Sequence, residues 1–216
     1  MILLSDSMNI IVLGPPGSGK GTQSKRLIKE LGMDYFATGD FSRKMAEYNP
    51  RIKNIVGSGG LIPEEEMTRY VYKYLEENFD DLTNILFDGF PRFVTQYNFL
   101  TKWLKERGSK KIIAINLELS DEIVVKRLSS RRICEDCGKE YNLITNPPKG
   151  GKCECGGKLI TRADDNPESI KERLSVYKDN VEPLIKYIEE EGTLITINGD
   201  QPIEAITQEI LGKIRL

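Results

Sequence analysis

The chain has 216 residues, of which 39% are apolar and 30% charged, a composition typical of a folded globular protein and not of a disordered or membrane-embedded one. Lysine and arginine number 31 and aspartate and glutamate 33, so the net charge is −2, which disfavours a protein devoted to nucleic acid because such proteins usually carry a basic excess. This length predicts one domain with small insertions.

The N-terminal stretch MILLSDSMNIIVL has neither a basic segment nor a long apolar run, which argues against a signal peptide. Met8 directly precedes the first predicted strand. We therefore expect residues 1–7 to be an extension of little structural role, with either Met1 or Met8 as the true start. Without a secretory signal, the cysteines are expected to be thiols in a reducing cytoplasm.

The first predicted strand, residues 9–13, runs into the glycine-rich segment GPPGSGKGT (14–22) at the start of a helix. This order predicts a phosphate-binding loop, because glycines let backbone N–H groups curl around phosphate oxygens while Lys20 reaches the outer phosphates. A plain glycine-rich turn is the alternative, and the lysine in register disfavours it. Gly21 replaces the usual Ser/Thr and Thr22 follows, so we expect Mg²⁺ to be held largely through water.

The rest of the chain alternates short apolar runs with helical patterns. Strands are predicted at 9–13, 84–88, 111–117 and 193–197, and helices at 20–31, 95–108, 120–131 and 166–191. Ser120 and Asn166 are predicted N-caps, and Pro183 should kink or divide the last helix. Residues 37–62 and 130–165 break the alternation and are predicted insertions. The pattern indicates an α/β fold with buried parallel strands and crossover helices.

The strand at 84–88 ends at Asp88, where a carboxylate can order the hydration shell of Mg²⁺ beside the phosphate loop. A solvated acid at a strand end is the alternative. Gly89 follows, whereas an enzyme that hydrolyses ATP usually carries an acid there to position water. Simple ATP hydrolysis is therefore disfavoured.

All the cysteines fall within the second insertion, at Cys134, Cys137, Cys153 and Cys155. The first pair has two intervening residues, the usual spacing for a zinc site, but the second has only one. We expect four sulfurs to bind one structural Zn²⁺, with neighbouring glycines turning the second pair inward. Alternatively, Glu154 or Asp136 supplies an oxygen in place of one sulfur. A redox or disulfide role is a further alternative.

From Met8 onward the chain resembles the adenylate kinase family, in its form with a long, zinc-bearing lid. The motifs that carry the resemblance, in the family's order, are GPPGSGKGTQ (14–23), TGDFSR (38–43), DGFPR (88–92) with Gln96, RLSSRRIC (127–134), LITRADD (159–165), KERL (171–174) and NGDQP (198–202). They cover nearly the whole chain. One departure is that the segment from Thr38 to Leu61 is a few residues shorter than expected for this form, which leaves the acceptor preference open.

The resemblance implies a P-loop nucleoside monophosphate kinase fold, in which a parallel β-sheet core is flanked by helices. The core would comprise residues 1–36, 63–129 and 166–216, with 37–62 as the monophosphate-binding insertion and 130–165 as the lid. It also implies reversible, Mg²⁺-dependent transfer of a phosphoryl group from ATP to AMP, giving two ADP. The chain has no histidine, and none is required, because a phosphate acceptor is already ionised at neutral pH and needs no general base.

Site residues follow from the resemblance position by position. The catalytic residues would be Lys20, Asp88, Arg92, Arg127, Arg131, Arg162 and Arg173. ATP would be bound by Gly14, Gly17, Ser18, Gly19, Lys20, Gly21, Thr22, Arg127, Arg131, Tyr141 and Gln201. AMP would be bound by Thr38, Gly39, Arg43, Gly60, Leu61, Ile62, Gly89, Arg92, Gln96, Arg162 and Arg173. Zn²⁺ in the lid would be bound by Cys134, Cys137, Cys153 and Cys155.

Three other functions are open to a chain with these motifs. A kinase for UMP, CMP or GMP is the nearest, and Gln96, Thr38 and the long lid favour AMP instead. A zinc-ribbon ATP-binding protein acting on nucleic acid is disfavoured by the pI of about 5.5 and by Gly89. An inactive nucleotide-binding module is disfavoured because the expected arginines are all present. The resemblance further implies a cytoplasmic monomer that binds neither nucleic acid nor membrane.

Overall fold

The computed structural model describes residues 7–214, so residues 1–6 of the predicted N-terminal extension, including Met1, lie outside the described residues. The strands are β1 (Met8–Leu13), β2 (Asp34–Ala37), β3 (Ile85–Asp88), β4 (Lys111–Glu118), β5 (Arg131–Cys134), β6 (Glu140–Asn142), β7 (Leu159–Ile160) and β8 (Leu194–Asn198). The helices are α1 (Lys20–Leu31), α2 (Thr38–Tyr48), α3 (Pro50–Gly57), α4 (Glu64–Asn78), α5 (Val94–Glu106), α6 (Asp121–Ser129), α7 (Pro167–Val176), α8 (Glu182–Glu190) and α9 (Ile203–Ile214).

The central sheet has five strands in the order β2-β3-β1-β4-β8, and all its neighbours are parallel. Its middle strand β1 is buried along its whole length, which explains the unbroken apolar run of its sequence. One core cluster covers one face of the sheet with α4, α5 and α8, and a second covers the other face with α1 and α9. The predicted α/β fold with a buried parallel sheet is confirmed.

Parallel strands bring their carboxyl ends to one edge of the sheet, and this edge positions the site. The glycine-rich loop follows β1, Asp88 ends β3, and the NGDQP segment (198–202) begins at the end of β8. Because β1 lies between β3 and β4, the loop has a strand end on either side. Ligands of open α/β sheets bind in such crevices.

The segment from 37 to 62 forms two helices, α2 and α3, which meet at Asn49-Pro50. Asn49 caps α3, since its Oδ1 accepts the backbone N–H groups of Arg51 and Ile52. The preceding strand β2 was not predicted, because DYFA is only four residues long and contains an exposed acid at its start. It forms because it pairs with β3 at the edge of the sheet.

Residues 131–160 form a separate antiparallel sheet in the order β6-β5-β7. Cys134 ends β5, Cys137 lies in the tight turn between β5 and β6, and the other two thiols lie in the stretch that leads to β7. The only apolar cluster here contains Cys134, Tyr141, Cys153 and Leu159. So small a cluster cannot hold a segment of this length by hydrophobic burial alone.

The predicted long helix after Asn166 is capped as expected, with Asn166 Oδ1 accepting the N–H of Ser169 at 2.9 Å. It is divided near Pro183, as predicted, by a π-helical turn at Tyr177–Val181 that separates α7 from α8. Ser120 occupies the N-cap position of α6, but its side chain makes no capping bond. No helix within residues 7–214 is long and apolar enough to cross a membrane.

Candidate active site

The glycine-rich loop connects β1 to α1 and exposes the amino end of that helix to a cleft. Gly14 has φ of 138°, and a Cβ on it would lie 2.5 Å from the carbonyl oxygen of Leu117, so only glycine fits. Gly19 precedes α1 in a left-handed conformation, and no side chain caps the helix. The first backbone N–H groups of α1 are therefore available to an anion, and the helix dipole favours one.

Lys20 is folded back onto its own loop. Its Nζ donates to the carbonyl oxygens of Gly14 at 2.8 Å and Pro15 at 2.9 Å. Burial lowers the pKa of Lys20 to about 8, against the opposing effect of the Asp88 carboxylate. Three nearby guanidinium groups, of Arg92, Arg173 and Arg131, lower the pKa further. The amine thus lacks a full counter-charge, which a phosphate would supply.

Asp88 lies beside this loop at the end of β3 and faces the first turn of α1. Burial raises the pKa of its carboxyl group, while Lys20 and a hydrogen bond from Tyr35 act in the opposite direction. A Cβ on Gly21 would lie 3.5 Å from Asp88 Oδ2, so a larger side chain there would stand against the carboxylate. Thr22, one residue later, is exposed. This donor set suits a hydrated Mg²⁺ better than one bound directly by a loop hydroxyl.

Three of the predicted arginines converge on a pair of aspartates that the sequence did not single out. Arg131 makes a two-pronged bond to Asp165, with distances of 2.6 and 2.7 Å, and Arg173 Nη1 contacts the same carboxylate at 3.1 Å. Arg162 makes a two-pronged bond to Asp164, with both distances 2.9 Å. The Asp165 side chain is fully buried. These aspartates hold the guanidinium groups at fixed positions.

The other predicted arginines come from separate elements. Arg92 follows β3, and its Nε donates to the Gly89 carbonyl at 2.9 Å. Burial lowers its pKa to about 10, and the nearby Arg173 adds to the effect. Arg127, near the end of α6, donates to the Gly199 carbonyl at 3.0 Å in the loop that carries Gln201. Arg43 in α2 pairs with Asp40 at 2.5 Å and stays partly exposed.

Two adjoining cavities occupy the cleft. The larger, of about 520 Å³, is lined by every residue predicted to bind ATP. The smaller, of about 140 Å³, is lined by every residue predicted to bind AMP except Gly89, which lines the larger one. Four arginines line both cavities: Arg43, Arg92, Arg162 and Arg173. The structure therefore brings the predicted residues together as two compartments with a shared, positively charged wall.

The smaller cavity also contains polar groups suited to a heterocyclic base. Gln96 is buried, its Oε1 accepts the Arg92 backbone N–H at 3.0 Å, and its Nε2 donates to Thr68 Oγ1 at 3.1 Å. The Nε2 also lies 3.4 Å from the Glu64 carbonyl oxygen, so one lone pair on Oε1 is what remains for a ligand. The Thr38 hydroxyl is buried without a hydrogen-bond partner among the described residues. A ligand that satisfies these groups would explain their burial.

The thiols form a compact cluster. All four sulfurs lie within 4.8 Å of one another, and the pairs Cys134–Cys155, Cys137–Cys153 and Cys153–Cys155 are each 3.5 Å apart. A tetrahedral site with Zn–S bonds of about 2.3 Å requires sulfurs about 3.8 Å apart, so the cluster fits this metal. Both members of the short second pair take part in it.

Glycines after the second pair make this approach possible. Gly156 has φ of 88°, and a Cβ on Gly157 would lie 2.6 Å from Cys134 Sγ. Glu154 is paired with Lys139 at 2.6 Å, and is thus engaged away from the sulfurs. Tyr141, predicted to border ATP, lines the larger cavity, but its hydroxyl donates to Cys153 Sγ at 3.4 Å. This residue therefore connects the thiol cluster with the cleft.

Comparisons with known proteins show the family to which the chain is related. A protein-family model described as Adenylate kinase matches residues 12–193. A protein named adenylate kinase from Thermosipho melanesiensis is 41% identical over 214 residues, which covers 96% of this chain and 100% of that protein. One from Desulforamulus reducens is 41% identical over 214 residues, with the same coverage. One from Archaeoglobus fulgidus is 42% identical over 209 residues, covering 94% of this chain and 96% of that protein.

Proposed function

The chain belongs to the adenylate kinase family, and from this premise we propose how its cleft transfers a phosphoryl group between ATP and AMP, giving two ADP. The observation that carries the proposal is the pair of cavities with an arginine wall in common. One nucleotide in each cavity would bring donor and acceptor phosphates to the same guanidinium groups. The reaction would then need no covalent intermediate on the protein.

Positioning and charge would provide the catalysis. Lys20 would leave the loop carbonyls and follow the phosphoryl group, while the N–H groups at the start of α1 hold the phosphates of ATP. Arg131 and Arg127 would bind the phosphates of ATP, and Arg43 would bind the phosphate of AMP. The other arginines of the shared wall, Arg92, Arg162 and Arg173, would contact the phosphoryl group during its transfer. Planar guanidinium groups suit the spread of charge over its equatorial oxygens.

We propose that Mg²⁺ accompanies ATP and is met by Asp88 largely through water. The supporting observation is that Gly21 leaves space, rather than a hydroxyl, beside the Asp88 carboxylate. When bound, the ion would neutralise phosphate charge and align the transferring group. The role of Asp88 is to hold the ion's water molecules in place.

For the lid, residues 130–165, we propose a structural Zn²⁺ held by Cys134, Cys137, Cys153 and Cys155. A closed shell of four thiolates leaves no position for water, so the metal would stabilise the small sheet and take no part in the reaction. The lid and the insertion at 37–62 would close over bound nucleotides and exclude water, which protects ATP from hydrolysis. Arg162, whose two-pronged bond joins it to Asp164, would move with the lid.

AMP is the proposed acceptor, because Gln96 and Thr38 offer free polar groups in the smaller cavity. An ATP-dependent assay over AMP, GMP, CMP and UMP at equal concentrations tests this proposal. We expect the highest kcat/KM with AMP. A clear preference for UMP or CMP would overturn the assignment of the acceptor while leaving the kinase chemistry intact.

The nucleic-acid alternative has its own test. Titration with a labelled oligonucleotide at low salt should show no saturable binding, because the basic groups of the cleft are arranged around two small cavities. Saturable binding that depends on the lid thiols would favour a contact module instead. A monomeric state and a cytoplasmic location stay predictions.

A further inference from the structure

Tyr35 lies outside every motif that carries the family resemblance, yet its hydroxyl reaches the centre of the site. It is the second residue of β2, and the parallel register places it opposite Leu86, two residues before Asp88. Its ring packs with the core cluster that includes Leu27 of α1, so it lies on the sheet face that α1 covers. From there its O–H donates to Asp88 Oδ2 at 3.0 Å.

Within residues 7–214, the Asp88 carboxylate accepts a single hydrogen bond, and its donor is the Tyr35 hydroxyl. Lys20, the cation that most lowers the pKa of Asp88, donates instead to two loop carbonyls. Asp88 itself is the last residue of β3, and its side chain lies at the cleft edge of the sheet. The orientation of the carboxylate in the free protein therefore depends on the Tyr35 hydroxyl.

The hydrogen bond also selects which oxygen is left for a ligand. Oδ2 accepts from Tyr35 and lies 3.5 Å from the position of a Cβ on Gly21, beneath the first turn of α1. Oδ1 is then the oxygen that remains for a hydrated cation in the cleft. A neutral donor can orient the carboxylate in this way without adding a positive charge that would repel the cation.

We propose that Tyr35 is a positioning residue for the metal-bound nucleotide: its hydroxyl fixes the Asp88 carboxylate so that Oδ1 meets the water shell of Mg²⁺ on ATP. This inference rests on the role proposed above for Asp88. Tyr35 lines the larger cavity, but its O–H is used on the Asp88 carboxylate, so we assign it a role through Asp88. Replacing the phenol by phenylalanine removes the donor and keeps the ring that packs against the core.

The test compares ATP binding with and without the metal. Calorimetry on Tyr35→Phe, with ATP in excess Mg²⁺ and with ATP in excess chelator, gives two dissociation constants whose ratio reports the contribution of Mg²⁺. We expect this ratio to shrink by about tenfold, the scale on which loss of an outer-shell partner weakens a metal site. The affinity for metal-free ATP should not change, whereas a general loosening of the site would weaken both.

Tyr70→Phe is a matched control, because it removes a hydroxyl that donates to Glu66 at 2.8 Å on α4, outside both cavities. For Tyr70→Phe, the ratio of the ATP dissociation constants with and without Mg²⁺ should equal that of the unaltered protein. Asp88→Asn, measured in parallel, separates the two levels of inference. If Asp88→Asn loses the Mg²⁺ effect but Tyr35→Phe keeps it, the inference about Tyr35 is wrong and the role of Asp88 stands. If Asp88→Asn keeps the effect, both fail, although the acceptor assay can still support the kinase.

Discussion

Lys20 should take up a proton when ATP binds at alkaline pH. In the free protein its amine has two carbonyl partners, and burial lowers its pKa to about 8. Arg92, Arg173 and Arg131 lower the pKa as well, and Asp88 alone raises it. A bound phosphate places negative charge against the amine and should return the pKa to its ordinary range or above.

The size of the effect follows from the pKa. At pH 8 about half of the free protein would carry a neutral Lys20, so binding should take up about 0.5 proton, against about 0.1 at pH 7. At pH 9 the neutral form of Lys20 would dominate, and the affinity for ATP should be about tenfold below its value at lower pH.

The same pKa fixes the direction in which Lys20 changes the free energy of unfolding with pH. The unfolded chain, with the ordinary lysine pKa, binds more protons between pH 8 and 10, so this group favours folding as pH rises through that window.

Calorimetry of MgATP binding at pH 8, in two buffers with different ionisation enthalpies, measures the uptake directly. The nucleotide itself contributes little, because a phosphate with a second pKa of about 6 is already ionised at this pH. Lys20→Arg provides the control, since its side chain keeps its proton and should show no uptake. An uptake below about 0.1 proton in the unaltered protein, or an equal uptake in Lys20→Arg, would refute this account of the lysine.

Three further predictions concern the lid, the arginine wall and the core. Cys155→Ser should lose zinc on metal analysis and lower the melting temperature by more than about 5 °C, and one zinc per chain with unchanged melting would remove Cys155 from the ligand set. Arg92→Ala should lower kcat by about 10³-fold without unfolding the protein. The control Arg51→Ala loses only an exposed ion pair and should keep a near-normal kcat. Equal kcat values in the two variants would exclude Arg92 from the site. Leu100→Ala, at a fully buried position of α5, should lower the free energy of unfolding by about 2–5 kcal/mol in denaturant titration while leaving kcat intact.

The elements that could be predicted from the sequence are those whose local pattern has only one physical solution. The apolar run of β1 followed by the glycine-rich loop is such a pattern, because a buried strand, a left-handed turn and a helix start must follow one another there. Asn166-Pro167 is another, and its capping bond forms as expected. By contrast, Ser120 occupies its predicted place without a capping bond, since the sequence shows a residue's preference but not what its side chain meets.

What could not be predicted depends on partners distant in the chain. β2 is too short to be recognised alone and forms because β3 offers it an edge. Tyr35 gains its hydrogen bond to Asp88 only through that pairing, across 53 positions of sequence. Asp164 and Asp165 were visible as charges within a motif, but only the fold shows that they hold Arg131, Arg162 and Arg173. The second cysteine pair is similar, because its spacing left the ligands open and the approach depends on how the chain turns at Gly156.

The aspartates explain how a cleft so rich in guanidinium groups is stable before phosphate arrives. Arg131 uses Nε and Nη2 on Asp165, which leaves its Nη1 without a partner among the described residues. Arg173 donates only from Nη1, so its Nε and Nη2 also have no hydrogen-bond partner among the described residues. Arg162 differs, because Asp164 takes Nε and Nη2 and Glu140 of β6 takes Nη1 at 2.8 Å.

Two of the three arginines, Arg131 and Arg173, can therefore donate to a phosphate oxygen while their aspartates stay in place. Arg162 keeps one N–H on each Nη, and a phosphate could engage it further by replacing one of its carboxylate partners. Glu140 is the one that can leave, because it is partly exposed and holds a single nitrogen, whereas Asp164 is mostly buried and holds two. Glu140 and Arg162 both lie in the proposed lid, so their bond does not hold the lid to the core, and phosphate could replace Glu140 at any position of the lid. Once made, a bond from Arg162 to phosphate would join the lid to the substrate and so favour the closed position, which ties the exclusion of water to the presence of substrate.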